Sequence, residues 1–541
     1  MASSRRPFLT SREFLFLGLT ILFWAGFVVV LGKDTSWDFR NYHWYGPYAF
    51  LNNRLDVDVA VAHQASYYNP TLDLPFYWLA TQTHSWLALA VLGAVQGATI
   101  VPLYLICREG IRLTGPGESP PERSMADQRL AAGALALLAQ FGALTLTEFG
   151  TTYYDNVMSV LVFSGLAILL VRRDELRGGP ALSAAWIAGL AGFITGMAMG
   201  LKLPEMPFCF GFAAALVALG GGFRQQTARL IGGGIGGVLG FSLFSGWWML
   251  KMWKLTGNPV FPYFNEYWHS PLALAATYQD LRFVPTHFWR ELFFPVLFSV
   301  DWHVADDLGF QDFRVCIAYF AVIGAVLLLV ARRQNSDPLI ENRIALPLFA
   351  FSAASYLVWL KVFAIYRYIV ALEMLSPLLI VAAVGLVPGR RRSRYLILAG
   401  LAFAILVTQR SDFLERAPID DPYVQAAIPP IPEPDNSMVV MTGDAPMGFI
   451  ATQLPPQIPV LRIDGWMVQP RDGTQITRQM KDRVSRHLKR GGALYLIADV
   501  TETARARDAL SDYGLAIRWT ECQQFDTNLV GTYQWCPLAR K

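Results

Sequence analysis

Long apolar runs alternate with short polar segments from about residue 14 to residue 409. Most runs are about 17–22 residues, the length an α-helix needs to cross the hydrocarbon core of a bilayer. The pattern predicts eleven spans, at about 14–32, 86–106, 130–147, 155–171, 184–201, 205–221, 230–250, 315–331, 344–362, 369–387 and 395–409. Past residue 410 the pattern changes. A proline-rich linker, AIPPIPEPDN, leads into β-like runs (SMVVMTGD, IPVLRID and ALYLIAD) and amphipathic helical stretches near 474–490 and 501–513. The expected fold class is an α-helical polytopic membrane protein with a small C-terminal α/β domain. Residues 1–410 form the transmembrane domain and 420–541 an accessory domain packed against it.

Charge then orients the chain. Arg5/Arg6/Arg12, Arg108/Arg112, Arg172/Arg173/Arg177, Arg224/Arg229, Arg332/Arg333 and Arg390/Arg391/Arg392/Arg394 all fall in alternate loops. Those loops are expected on the cytoplasmic side, with the N-terminus inside. They are short and rich in Arg, Gly and Pro, as in GPGESPPERS at 115–124. The first run lacks a small-residue cleavage site and reads as a retained span. An odd number of spans puts the C-terminal domain outside, and all seven histidines fall on that side. Composition agrees, since 16% of residues are charged against about a quarter in soluble domains. The net charge of +4 adds little, because the arginines are segregated. Cys522 and Cys536 lie together in the outer domain, where a disulfide and two unpaired thiols both fit. There is no Walker sequence, and GGGIGG (232–237) lies inside a span, where small residues let helices pack closely. An ATP motor on this chain is excluded.

The polar chemistry is concentrated outside. The first outer loop opens with DTSWDFRNYHWYGPYAF (34–50), in which Asp34 and Asp38 share a face if the first helix continues one turn. Its aromatics also suit a belt at headgroup level. Asp155, at the start of a span beside Tyr153 and Tyr154, suits a helix N-terminus or a substrate contact. Lys202 and Arg367 sit at outer span ends, where a lipid phosphate lies and where long cations also snorkel. DWHVADDLGFQD (301–312) offers Asp301, His303 and Asp306 as donors for a divalent cation, although the spacing matches no defined metal loop. No cofactor is otherwise indicated. FWRELFFPVLFSV (288–300) reads as an interfacial helix. Gly443-Asp444 follows a strand without the glycine pattern of a phosphate loop.

Several stretches, taken in order, resemble membrane glycosyltransferases of the GT-C superfamily, in the protein-mannosyltransferase-like branch. Asp38 with Tyr42 four residues on, then LNNRLDVD and YYNPTLDLPFYW, resembles that branch's first outer loop. FGTTYYDNVMSVLVFSGLAILL (149–170) is similar to its second outer loop, and GMAMGLKLPEMPF (196–208) to its glycine-rich fifth span ending in lysine. KLTGNPVFPYFNEYWHSP (254–271) resembles a Gly-Asn-Pro segment of bacterial members, and YRYIVALEMLSPLL (366–379) the stretch near the phosphate site. The resemblance spans roughly residues 10–410, with one departure: Phe39 follows Asp38 where the branch carries glutamate.

The resemblance implies an inverting glycosyltransferase of the bacterial inner (cytoplasmic) membrane. It would move a sugar from a polyprenyl-phosphate donor to a glycan, lipid or protein acceptor on the outer face. Asp38 is the expected base with Asp34 as neighbour or replacement, and Tyr42, His43, Asp155, Lys202, Tyr366 and Arg367 are expected to bind substrate. Membrane lipids are expected partners and nucleic acid is not. Two rivals are a transporter or flippase of a lipid-linked or polar substrate, and a non-catalytic envelope scaffold.

Overall fold

A computed structural model describes residues 9–112 and 122–541; Arg5, Arg6 and most of the 115–124 segment lie outside the described residues. Six of its helices are long and apolar enough to cross a membrane: Ser11–Leu31, Ser85–Gly110, Ala181–Leu201, Phe223–Thr256, Asn342–Val362 and Tyr366–Gly385. Among the described residues that is fewer than the eleven expected. Three other predicted spans are shorter apolar helices, Asp155–Val171, Leu203–Ala218 and Arg314–Val330. The last, Arg391–Thr408, opens on a cluster of arginines.

The run expected at 130–147 is interrupted for a physical reason. Helix Glu122–Gln140 stops, and the short helix Ala143–Glu148 starts again after Gly142. The restart is capped by buried carboxylates from elsewhere in the chain. Asp312 accepts the Ala143 N–H at 3.0 Å, and Glu373 accepts those of Leu144 and Thr145 at 3.1 and 3.2 Å. These are the N-terminal amides that no intrahelical carbonyl can reach.

The glycine run acts as its composition suggests. Ala181–Leu201 packs on Phe223–Phe241 so closely that a Cβ at Gly236 would lie 1.9 Å from the Gly189 carbonyl oxygen. One at Gly196 would lie 2.0 Å from that of Gly237. Only small residues permit this backbone approach. The 288–300 stretch forms two short helices, Phe288–Leu292 and Phe294–Val300, whose Phe288, Trp289 and Val300 are exposed.

The C-terminal sheet comprises β1 (Ser437–Met441), β2 (Val460–Arg462), β3 (Ala493–Asp499), β4 (Leu515–Ile517), β5 (Gln523–Asp526) and β6 (Thr532–Arg540). Its order is β2-β1-β3-β6-β4, with β5 also pairing β6. β1 runs parallel to β2 and β3, whereas β6 is antiparallel to β3. Helix Gln475–Lys489 buries Ile476, Met480 and Val484, a four-residue spacing that lines one face. Cys522 and Cys536 form a disulfide.

Residues of the first loop join this sheet. The Val59 N–H donates to the Val460 carbonyl and the Arg462 N–H to that of Val59, both at 3.0 Å. Arg54 and Asp58 form a buried ion pair, and Arg54 also donates to the Ile458 carbonyl at 2.6 Å. A Cβ at Gly448 would lie 1.9 Å from the Asn41 carbonyl oxygen, so glycine allows the two segments to touch there. The first loop is therefore held between the helices and the sheet.

Candidate functional site

The first helix does not continue to Asp38. It ends at Leu31, Gly32 turns the chain with φ +95°, and Lys33–Asp34 pairs antiparallel with Arg416–Ala417. The two aspartates consequently part company. Asp34, 1% exposed, accepts the Ser36 N–H at 2.8 Å through Oδ1. Its Oδ2 accepts the Thr152 N–H at 2.7 Å and the Thr152 hydroxyl at 2.9 Å. Asp34 thus fastens two loops. Asp38, 9% exposed, opens a wide helical turn, Phe39–His43. That turn brings Tyr42 beside it, and the Tyr42 hydroxyl donates to Asp38 Oδ2 at 2.9 Å. Arg367 Nη1 approaches the same oxygen at 3.4 Å, while Oδ1 takes no hydrogen bond among the described residues.

Arg367 is placed by a 3₁₀ turn, Tyr366–Ile369, whose position is fixed by a backbone bond: the Arg367 N–H donates to Asp306 Oδ2 at 2.8 Å. Its guanidinium lies 4.6 Å from the Tyr153 ring and 5.3 Å from that of Tyr368. Lys202 approaches Tyr368 from another helix end, also at 5.3 Å, donates to the Tyr153 carbonyl at 2.7 Å, and pairs with Asp155. Two cations thus flank one tyrosine, as cation–π attraction favours. Burial pushes the Asp306 carboxyl up to about 6, with Arg367 opposing the rise.

Tyrosines line the cluster. The Tyr42 and Tyr68 ring centroids are 5.4 Å apart, and Tyr68 is hydrogen-bonded to Tyr263 through their hydroxyls. Tyr263 is positioned by the Gly-Asn-Pro turn, where Asn258 donates to the Tyr263 carbonyl at 3.0 Å and accepts the Val260 N–H at 2.9 Å. His43 lies behind Tyr42 and meets Asp73 at 2.6 Å; burial raises the Asp73 carboxyl, with His43 opposing.

Other expected residues lie elsewhere. Tyr366 is fully buried between Phe310 and Phe298, with centroids at 4.1 and 4.9 Å, and belongs to the apolar core. The 301–312 carboxylates do not converge. Asp301 bonds to His303 at 2.8 Å in solvent, Asp306 is buried on the Arg367 amide, and Asp307 pairs with Arg282. Among the described residues no three His, Cys, Asp or Glu groups gather closely enough to hold a metal ion. The loop's donors are spent on separate partners.

Sequence reasoning missed Glu148. It is buried, neither carboxylate oxygen has a hydrogen-bond partner among the described residues, and its surrounding charges are Asp155, Lys202, Arg367 and Asp306. The available signal was an acidic residue closing an apolar run. Tyr68, Tyr263 and Tyr368 were hidden among many interface-type aromatics.

Fold and site together define a mostly helical protein with six helices long and apolar enough to cross a membrane and a polar, cation-bearing cluster where several helices end. Compared with protein-family models, curated proteins and solved structures, the chain matches none of them.

Proposed function

We propose that the chain is an integral-membrane glycosyltransferase that moves a sugar from a polyprenyl-phosphate donor to a hydroxyl-bearing acceptor. One observation carries the reading: Asp38, Lys202 and Arg367, from three distant segments, meet around Tyr153 and Tyr368. Attack of an acceptor hydroxyl on the anomeric carbon forms the new C–O bond and breaks the bond to the phosphate. The hydroxyl proton passes to Asp38, whose Oδ1 is open to receive it. Charge accumulating on the departing phosphate is met by Arg367 and Lys202. Their present partners, Asp38 and Asp155, hold them in place before a donor binds. A single displacement inverts the anomeric centre. Asp34 is assigned to loop structure rather than chemistry, because its oxygens already accept three hydrogen bonds.

The reading places the cluster and the C-terminal domain on the outer face of the bacterial inner membrane. That requires the shorter apolar helices, Glu122–Gln140 and Arg391–Thr408 to cross as well. The 18 residues of Arg391–Thr408 give about 27 Å of helix, close to the hydrocarbon thickness.

The test compares envelope glycans and glycolipids by mass spectrometry in a deletion strain, after restoration with wild type, and after restoration with Asp38→Asn at equal membrane level. Loss of one sugar in the deletion and in Asp38→Asn supports transfer. Full restoration by Asp38→Asn sinks the assignment of the base. An unchanged glycan profile in the deletion puts transport or scaffolding ahead.

A further inference from the structure

A second polar site lies where the first loop meets the C-terminal sheet. In the order β2-β1-β3, the chain leaves β1 to one side and returns to the other, so a crevice opens beyond the carboxyl ends of β1 and β3. Ligands of open α/β sheets bind at such switch points. Here Glu502, after β3, accepts the N–H groups of Asp444 and Ala445, after β1, at 3.0 and 3.1 Å. Arg505 bridges Asp444 and Asp464, each at 2.5 Å. Arg462, 1% exposed, donates through Nη1 to the Gly443 and Ala445 carbonyls at 2.9 and 3.1 Å and to His63 at 2.7 Å. Among the described residues its Nε and Nη2 are buried without hydrogen-bond partners, as is Asp444 Oδ1.

The first loop contributes aromatic faces. Trp37 donates its indole N–H to the Asp444 carbonyl at 3.1 Å, stacks on His63 with centroids 5.8 Å apart, and stands 6.0 Å from Trp466. Trp466 is 54% exposed. A groove of about 690 Å³ runs on from Asp464 and Arg505 past Gln469 and Asp508.

We propose that this seam is a saccharide-binding site, in which Trp37 and Trp466 offer ring faces while Asp444 and Arg462 take up neighbouring hydroxyls. Unpartnered donors on Arg462 and an unpartnered acceptor on Asp444 along one seam suit a diol, which can both give and receive hydrogen bonds. Charge selects against a phosphate. Asp444, Asp464 and Glu502 outnumber Arg462 and Arg505, and burial beside Arg462 holds His63 well below its usual range, hence neutral. The occupant is therefore a neutral saccharide. Trp37 immediately precedes Asp38 in the chain, so the seam is continuous with the segment that carries the candidate base. Its role as the acceptor subsite rests on the glycosyl-transfer reading, whereas binding itself does not.

The experiment uses the full chain in nanodiscs without any donor lipid. Tryptophan fluorescence and saturation-transfer NMR are recorded with neutral oligosaccharides built from glucose, mannose, galactose and N-acetylglucosamine, and with inorganic phosphate. At least one oligosaccharide is expected to give a saturable change. Trp466→Ala should weaken its binding at least tenfold with an unchanged melting temperature, and Trp466→Tyr should restore most of it. The proposal is overturned if no oligosaccharide gives a saturable change, if Trp466→Ala binds as wild type does, or if phosphate alone reproduces the response. These readouts need no turnover, so their failure is separate from failure of the Asp38→Asn test.

Discussion

Two buried clusters use the same ingredients, carboxylates and an arginine at helix ends, with opposite results. Around Arg314 almost every polar atom is engaged. Asp312 accepts the amides of Ala143 and Arg314 and pairs with the Arg314 guanidinium at 2.7 Å, while Arg314 donates to the Phe141 carbonyl at 2.7 Å and to Gln409 at 2.8 Å. Around Arg367 the engagement is incomplete. Among the described residues Asp38 keeps an oxygen without a donor, the Glu148 carboxylate has no hydrogen-bond partner, and the cations lie over tyrosine faces. A closed network fixes a chain reversal; an open one retains capacity for a ligand.

The sharpest test of that contrast is Asp38→Asn. It should lower transfer by about 10²- to 10⁴-fold, the usual worth of a general base, while leaving membrane level and melting temperature unchanged. Equal losses of activity and stability would erase the distinction. Asp312→Ala should do the reverse. It strands Arg314 in the interior, at a cost of about 3–5 kcal/mol, read as a lowered melting temperature and reduced membrane level. Gly236→Ala tests packing away from both clusters. Its Cβ meets the Gly189 carbonyl oxygen, and overpacking of this kind costs about 1–3 kcal/mol, visible as a lower melting temperature with the transfer chemistry intact.

The smallest effect expected is pH-dependent. The Asp306 carboxyl rises from its ordinary 3.8 to about 6, mainly by burial, so the folded chain holds this proton more tightly than the unfolded one. Its contribution to stability is complete below about pH 4 and is lost as pH climbs through about 6. Asp306→Asn should flatten that part of a melting-temperature profile. An unaltered slope would show that the carboxyl is better solvated than its burial implies.

Much of the architecture was legible in the chain. Apolar run length marked the six helices long and apolar enough to cross a membrane, the GGGIGG run announced a close helix contact, and the β-like runs past residue 430 marked β1, β2 and β3 but not β4, β5 and β6. These features are local, because helix length, glycine size and strand periodicity act within or between neighbouring turns. The interruption of the run at 130–147 was not legible, since its cause lies in Asp312 and Glu373, far along the chain.

The sequence by itself determined which chemistry is available: an aspartate and a tyrosine four residues apart, and a lysine and an arginine at helix ends. Only the tertiary structure decided how those groups are used. It separated Asp34 from Asp38 by ending a helix at Leu31, sent Tyr366 into the core, and brought Glu148 to the cations. A side chain's role depends on which hydrogen-bonding partners reach it, and those partners arrive from segments that no local pattern connects.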